Sequence, residues 1–161
     1  MSKTETGTQA FKDMITMETK ISISITDKVL KSDGFKVHGE SIPTRNADGS
    51  PQLTDDGFYK EVSMTISTYN LKNDRMNGAS VDEKLNAIGV HERGHLSKEQ
   101  IPLNENPQMP FQDMEQAPVM LEFQSRMEYY NLYGGNKNMY LPRYKKYLFP
   151  ENFEKVMRKF P

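Results

Sequence analysis

The amino-acid sequence predicts an α+β fold, because strand patterns occupy its first half and helix patterns its second. Residues 21–26 (ISISIT) and 62–67 (VSMTIS) alternate apolar and polar side chains, which is typical of strands buried on one face. Residues 80–98 and 118–133 instead have the apolar spacing and the terminal residues of helices. We therefore expect a small, mostly antiparallel sheet followed by a helical C-terminal half.

The length and composition of the chain suit one compact domain. Its 161 residues, of which 35% are hydrophobic and 27% charged, are enough to form one hydrophobic core. The chain is short for two separate cores. Residues 1–10 are mostly polar. We expect a flexible segment over residues 1–10, followed by a single domain over residues 11–161.

Charge and cysteine content exclude several kinds of site. Lys and Arg number 21 against 22 Asp and Glu, so no overall field attracts nucleic acid. Basic residues near the C-terminus alternate with aromatic ones at helical spacing, which favours a solvated helix face over the alternative of an RNA-binding patch. The chain has no cysteine, which rules out disulfides, thiolate metal sites and a cysteine nucleophile.

The sequence has neither the pattern of a membrane span nor that of a signal peptide. The N-terminal residues lack an apolar core, and no window of about 18 apolar residues occurs. We expect a soluble protein without membrane contact, either cytoplasmic or delivered as part of a larger secreted protein.

The first predicted helix follows a region rich in turns. Residues 32–57 are dense in turn-forming residues and are expected to form loops and at most short strands. Ser80 and Glu83 have the spacing of a capping box, which predicts that a helix starts at Ser80 and continues to about residue 98.

A second long helix is bounded by proline and glycine. Pro118 suits the first turn, where its missing amide hydrogen costs nothing, and Gly134 follows the last helical residue. Two short helices are expected after Pro142 and over residues 151–160.

Within the capped helix, residues 91–95 read HERGH, an H-E-x-x-H motif. In a helix, His91 and His95 project from the same face, where two imidazoles can share one metal ion. The cap at Ser80 supplies the helix that the motif requires, and it does so independently of the motif.

The same helix directs a carboxylate toward the core. Glu92 lies in line with the apolar residues Leu85 and Ile88. An unpaired carboxylate is costly to bury, so a metal ion with its bound water would account for Glu92 at this position. Gly94, which lacks a Cβ atom, is expected to let a neighbouring element approach the site.

The HERGH run, on a helix that follows a strand, resembles the active-site helix of zincin metallopeptidases, and the likeness covers roughly residues 61–133. The resemblance implies a minimal zincin-like fold that holds one Zn²⁺ per chain. By this resemblance His91 and His95 are zinc ligands, and Glu92 is the general base of peptide-bond hydrolysis. The strand over residues 62–68 resembles the zincin edge strand that pairs with an extended substrate.

A gluzincin-like arrangement takes its third ligand from a glutamate on a later helix, here Glu115, Glu122 or Glu128. Glu128 points away from the apolar face of the helix over 118–133, whereas Glu122 lies on its flank. Glu115 shares that phase only if the helix continues backward through Pro118, which the ring clash disfavours. Glu122 is preferred, and Glu115 is the alternative.

Two further residues have expected positions. Tyr133, on the same side of its helix as Glu122, is the candidate donor to the oxyanion, with core packing as the alternative interpretation. His38, in the turn-rich region, is expected at the surface, with a role as a metal ligand as the alternative.

In its small size, and in its lack of cysteine and of a signal-peptide pattern, the chain resembles compact metallopeptidase domains that act as toxin or effector modules. That likeness implies a protein or peptide substrate, and an inhibitor or immunity protein as a second partner.

Two other functions are consistent with the sequence. In one, the HERGH run is incidental and the chain is a non-enzymatic protein-binding module. In the other, a zincin-like fold hydrolyses a bond other than a peptide. A measurement of about one zinc per chain would distinguish the peptidase from the non-enzymatic binding module. The intact Glu92 favours hydrolysis of some kind.

Overall fold

The computed structural model describes residues 3–32, 34–73 and 79–160, which form helices and a small sheet. The elements follow in the order α1 (Glu5–Thr16), β1 (Lys20–Thr26), β2 (Lys31–Ser32), β3 (Phe35–Lys36), β4 (Gly39–Pro43), β5 (Glu61–Ser67), α2 (Thr68–Lys72), α3 (Val81–Gly94), α4 (Ile101–Asn104), α5 (Phe111–Met114), α6 (Gln116–Tyr133), α7 (Leu141–Tyr147) and α8 (Pro150–Met157). A 3₁₀ turn at Lys137–Met139 precedes α7. Strands in the first half and helices in the second confirm the predicted α+β class.

The main sheet has the strand order β1-β5-β4 and is mixed. β1 runs parallel to β5, with Ile23 opposite Met64, and β4 runs antiparallel to β5, with Ser41 opposite the same residue. The prediction of a mostly antiparallel sheet is therefore wrong for the β1–β5 pair. Alternation of side chains reports which face of a strand is buried and carries no information on strand direction.

Burial follows the predicted pattern in β5 and departs from it in β1. Val62, Met64 and Ile66 all lie in the core. Ile23 and Ile25 alternate in the same way but remain largely exposed, because β1 is at an edge of the described sheet.

Helices α3 and α6 form the centre of the helical part. The Ser80 hydroxyl accepts a hydrogen bond from the Glu83 amide at 3.1 Å, which confirms the predicted helix start. α3 ends at Gly94 rather than at residue 98. α6 stops at Tyr133, where Gly134 has a φ of 76°, a left-handed conformation that favours glycine.

The N-terminal segment differs from the prediction. Residues 1 and 2 lie outside the described part, but residues 5–10 belong to α1, which packs on α3 and α6. Thr6 donates to the Glu128 carboxylate from its amide and its hydroxyl, and the Thr4 hydroxyl contacts that of Ser125 at 3.1 Å. The expected flexibility of this segment is wrong from residue 5 onward, because its polar side chains find partners on α6.

The C-terminal helices cover the far side of α6. Phe123 stacks on Tyr144 of α7 and on Phe153 of α8 within one apolar cluster. The basic residues of this region are exposed, as predicted, except Arg143, which is half-buried; the exposed ones are Lys145, Lys146, Lys155, Arg158 and Lys159. Among the described residues, no helix has the length and apolar character needed to cross a membrane.

Candidate metal centre

The two histidines of the HERGH run face each other at the C-terminal end of α3. Their Nε2 atoms are 3.2 Å apart, with both side chains partly buried. Residues four apart on a helix lie one above the other, so this convergence follows from the local sequence.

A third ligating side chain, Glu115, completes a group with these histidines. Its carboxylate oxygens lie 3.2 Å from His91 Nε2 and 3.5 Å from His95 Nε2. Glu115 is the residue immediately before α6, which starts at Gln116. The helix begins ahead of Pro118 because amides in the first turn need no helical partner, so a proline there causes no break.

The spacing of the two imidazoles and the Glu115 carboxylate suits a single metal ion. An ion with tetrahedral geometry and metal–ligand distances of about 2.0–2.2 Å separates its ligand atoms by about 3.3–3.6 Å. The two Nε2 atoms are 3.2 Å apart, and the Glu115 carboxylate approaches His91 with Oε2 at 3.2 Å and His95 with Oε1 at 3.5 Å. Two imidazoles and one carboxylate are also a donor set that zinc prefers. Within the described residues, His91, His95 and Glu115 are the group with suitable geometry.

Glu122, the ligand preferred from the sequence, lies on the other side of His91. Its Oε2 atom is 3.2 Å from His91 Nδ1, whereas Glu115 approaches Nε2 of the same ring. Glu115 and Glu122 are seven residues apart, about two helical turns, so they share one face of α6 and hold the imidazole between them. The geometry therefore favours Glu115 as the third ligand, contrary to the preference drawn from the sequence.

Buried polar groups surround Glu122. Its Oε1 atom accepts hydrogen bonds from the Tyr144 hydroxyl at 2.7 Å and from Arg126 Nε at 3.1 Å. Arg126 is 1% exposed, and it also contacts Glu83 at 3.5 Å. A buried guanidinium needs such paired carboxylates, and together they fix the position of Glu122 behind His91.

His95 is oriented by residues that follow α3. Its Nδ1 atom is 3.4 Å from Asn104 Oδ1, and the Asn104 side-chain amide donates to the His95 carbonyl at 2.8 Å. Gln100 in turn donates to Asn104 Oδ1 at 3.0 Å. Partners of this kind direct the other ring nitrogen toward a metal.

The charges around the group are arranged to attract a cation. Burial alone would lower the pKa of His91, but Glu115 and Glu122 outweigh it and raise that pKa to about 10. Burial alone would likewise raise the pKa of Glu115, and the histidines hold it below its usual value instead. Burial and the neighbouring His91 lower the pKa of His95.

Glu92 is buried, as predicted, at 5% exposure, and it faces strand β4. The Ser41 hydroxyl donates to its Oε2 atom at 2.8 Å. A Cβ atom at Gly39 would lie 2.7 Å from its Oε1 atom, so the carboxylate occupies space that only glycine leaves free. Its charge adds to the raised pKa of His91 and opposes the lowering of the His95 pKa, because it lies beside the group.

A cleft of about 980 Å³ opens onto these residues, and β4 forms part of its wall. The strand expected to pair with substrate, residues 62–68, is the central strand β5, which has neighbours on both sides, so that prediction is wrong. The outer edge of the described sheet on this side belongs to β4. His38, expected at the surface, is half-buried and lines the same cleft.

Tyr133 lies far from the group. It ends α6, 18 residues after Glu115, a distance of roughly 27 Å along a helix. Its ring is 58% exposed and contacts Tyr129. The structure does not bring Tyr133 to the histidines, because a straight helix carries its two ends apart.

Several residues of the site had no signal in the sequence. Ser41 and Gly39 belong to a short strand inside the turn-rich region, and Asn104 is the last residue of the short helix α4. Each reaches the site from a different element, so no spacing rule within one helix or strand identifies it.

No protein-family model matches the chain, and neither a curated protein nor a solved structure is significantly similar to it. The function is therefore inferred from the residues of the site.

Proposed function

We propose that this protein is a zinc-dependent metallopeptidase in which His91, His95 and Glu115 hold the zinc and Glu92 is the general base. The observation that carries the proposal is the convergence of two imidazole nitrogens and the Glu115 carboxylate, at contacts of 3.2–3.5 Å, beside the buried carboxylate of Glu92. Zinc bound there supplies Lewis acidity to a water molecule and to a peptide carbonyl.

Glu92 performs the proton transfers of the proposed reaction. It takes a proton from the attacking water, whose oxygen forms a bond to the carbonyl carbon. When the carbon–nitrogen bond breaks, Glu92 returns that proton to the leaving amine. The hydrogen bond from Ser41 and the close approach of Gly39 hold the carboxylate in place for both steps.

Strand β4 is positioned to bind the substrate backbone. It ends the described sheet next to α3, and its residues line the cleft. An extended peptide that paired with its outer edge would pass directly over the candidate ligands. Three further points stay predictions from the sequence: the substrate proteins, an inhibitor or immunity partner, and a toxin or effector role.

Metal content is the measurement that tests the proposal. Mass spectrometry on protein purified without chelator should find about one zinc per chain in the wild type. Glu115→Ala should lose the metal, and Glu99→Ala, which removes an exposed glutamate after α3, should keep it.

Catalysis is tested separately on the metal-loaded protein. Glu92→Gln should retain zinc and lower the hydrolysis of an unstructured protein such as casein by about 10²–10⁴-fold. If the wild type holds no zinc even after zinc is added, the peptidase proposal is wrong and the non-enzymatic binding module becomes the better interpretation. Zinc binding without peptide cleavage would instead favour hydrolysis of another bond.

A further inference from the structure

A second pocket opens beside the candidate ligands. It has a volume of about 400 Å³ and is continuous with the main cleft, with which it shares His91, Phe111, Glu115, Glu122, Arg143 and Tyr147. Its aromatic and aliphatic lining consists of Phe111, Val119, Tyr144 and Tyr147. We call these four residues the aromatic pocket.

Two of these rings are exposed at the mouth of the pocket. Phe111 is 72% exposed on α5, and Tyr147 is 51% exposed at the end of α7. Tyr144, in contrast, is fully buried at the base and is held by its hydrogen bond to Glu122. Large apolar side chains at the mouth of a concave site are typical of surfaces that bind a ligand.

The charges that line the pocket disfavour a basic ligand. Glu115 and Glu122 both contact His91, and Glu122 is also paired with Arg126. The other charged residues of the lining, Arg143 and Lys146, are cationic. A lysine or arginine side chain would meet these cations, whereas a flat apolar group would meet ring faces.

We propose that the aromatic pocket binds an aromatic or large aliphatic side chain of the peptide, next to the bond that is cleaved. This inference rests on the proposed function, and it assigns the enzyme a preference for bulky apolar residues. The pocket adjoins Glu115 and His91 directly, so a side chain bound there belongs to a residue adjacent to the reacting carbonyl.

Binding of three capped amino acids to the whole protein tests the pocket without requiring catalysis. The probes are N-acetyl-phenylalanine amide, N-acetyl-lysine amide and N-acetyl-glutamate amide, each titrated into zinc-saturated protein and followed by NMR chemical shifts. The phenylalanine probe is expected to bind about tenfold more tightly than the other two, since aromatic contacts and apolar burial act only on it.

Variants locate the binding. Phe111→Ala and Tyr147→Ala should each remove most of the preference for the phenylalanine probe, because each deletes one exposed aromatic ring of the pocket. Tyr69→Ala is the matched control, since it removes a partly exposed tyrosine on α2, outside the residues that line the pocket. Far-ultraviolet circular dichroism should show that all three variants are folded.

Three results would overturn the inference. One is equal binding of the three probes, another is tighter binding of the glutamate probe through Arg143, and the third is a preference that persists in Phe111→Ala and Tyr147→Ala. Any of these can occur in a protein that binds zinc and cleaves peptides. These results would therefore contradict the inference about the pocket without contradicting the peptidase proposal, which is tested by metal content.

Discussion

Glu122 and Glu115 contact opposite nitrogens of the His91 ring, and this arrangement gives them different roles. Glu115 lies on the side that His95 also faces, where a metal would be held. Glu122 lies on the Nδ1 side and is anchored by Tyr144 and Arg126. A carboxylate behind a ligating imidazole fixes the ring orientation and increases its basicity. We therefore interpret Glu122 as a positioning residue.

Substitution of Glu122 by glutamine tests this role. Glu122→Gln keeps the shape of the side chain but removes its charge, so zinc affinity should fall about 10–100-fold with the metal still able to bind. The free energy of unfolding should also fall, by up to about 3–5 kcal/mol, because the buried Arg126 loses one of its carboxylate partners. Competition with a zinc chelator and urea denaturation measure the two effects.

Glu128→Gln is the matched control for that experiment. Glu128 also lies on α6 and accepts hydrogen bonds, but its donors are Thr6 on α1 and Gln124 on α6, and it does not contact His91. Its substitution should lower stability and leave zinc affinity unchanged. An unchanged zinc affinity in Glu122→Gln as well would show that Glu122 does not position His91.

At the scale of elements, the contact between α3 and α6 decides whether the ligands meet. Gly94 on α3 packs directly against Pro118 on α6, and a Cβ atom at Gly94 would lie 2.8 Å from the Pro118 Cα atom. This close approach, expected from the glycine in the HERGH run, brings Glu115 within reach of both histidines.

Gly94→Ala should therefore separate the two helices. The clash involves backbone atoms and cannot be relieved by a side-chain rotation, so the unfolding free energy should fall by about 1–3 kcal/mol. Zinc affinity should fall as well, because Glu115 moves away from His91. Thermal unfolding and zinc titration provide the measurements.

Gly39→Ala is the matched comparison, and its expected effect on zinc affinity is the opposite of that of Gly94→Ala. Its added Cβ atom would meet the side chains of Glu92 and Ile88 on α3, rather than the backbone of α6. We expect zinc affinity to persist and hydrolysis to decrease, since the general base is displaced. If both glycine variants bound zinc like the wild type, the α3–α6 contact would not control the metal site.

At the scale of the whole molecule, three tyrosines join distant elements through glutamates. The Tyr59 hydroxyl donates to Glu105 at 2.8 Å, after α4. Tyr140 donates to Glu83 of α3, and Tyr144 donates to Glu122 of α6. The members of each pair are separated by 22 to 57 residues, so these hydrogen bonds form only in the folded chain.

These tyrosines should make the protein sensitive to alkaline pH. Burial, followed by the neighbouring carboxylates, raises the pKa of Tyr59 and of Tyr140, and burial raises that of Tyr144 well above its usual value. The fold thus favours the neutral phenols. Their stabilisation is complete below the ordinary tyrosine pKa of about 10 and is lost as the pH rises through the higher values of the folded state.

Ultraviolet absorbance of phenolate, followed during an alkaline titration, measures this effect. Three of the eight tyrosines should ionise late, together with the loss of helical circular dichroism. Tyr140→Phe should remove one late-ionising group from the titration. Ionisation of all tyrosines in one step near their ordinary pKa, with the fold intact, would contradict the expectation.

Much of the fold and the motif could be predicted from the sequence, because the responsible interactions are local. The cap at Ser80, the buried Glu92 and the end of α6 before Gly134 each depend on residues within a few positions along the chain. The convergence of His91 and His95 follows from helical spacing in the same way.

The tertiary structure decided the features that depend on where elements meet. The start of α6 ahead of Pro118 brought Glu115 to the histidines, and the length of the same helix carried Tyr133 away. The order of strands placed β4 rather than β5 at the cleft. Periodicity and caps act over a few residues, whereas helix packing and strand order depend on contacts between distant parts of the chain, which no local pattern encodes.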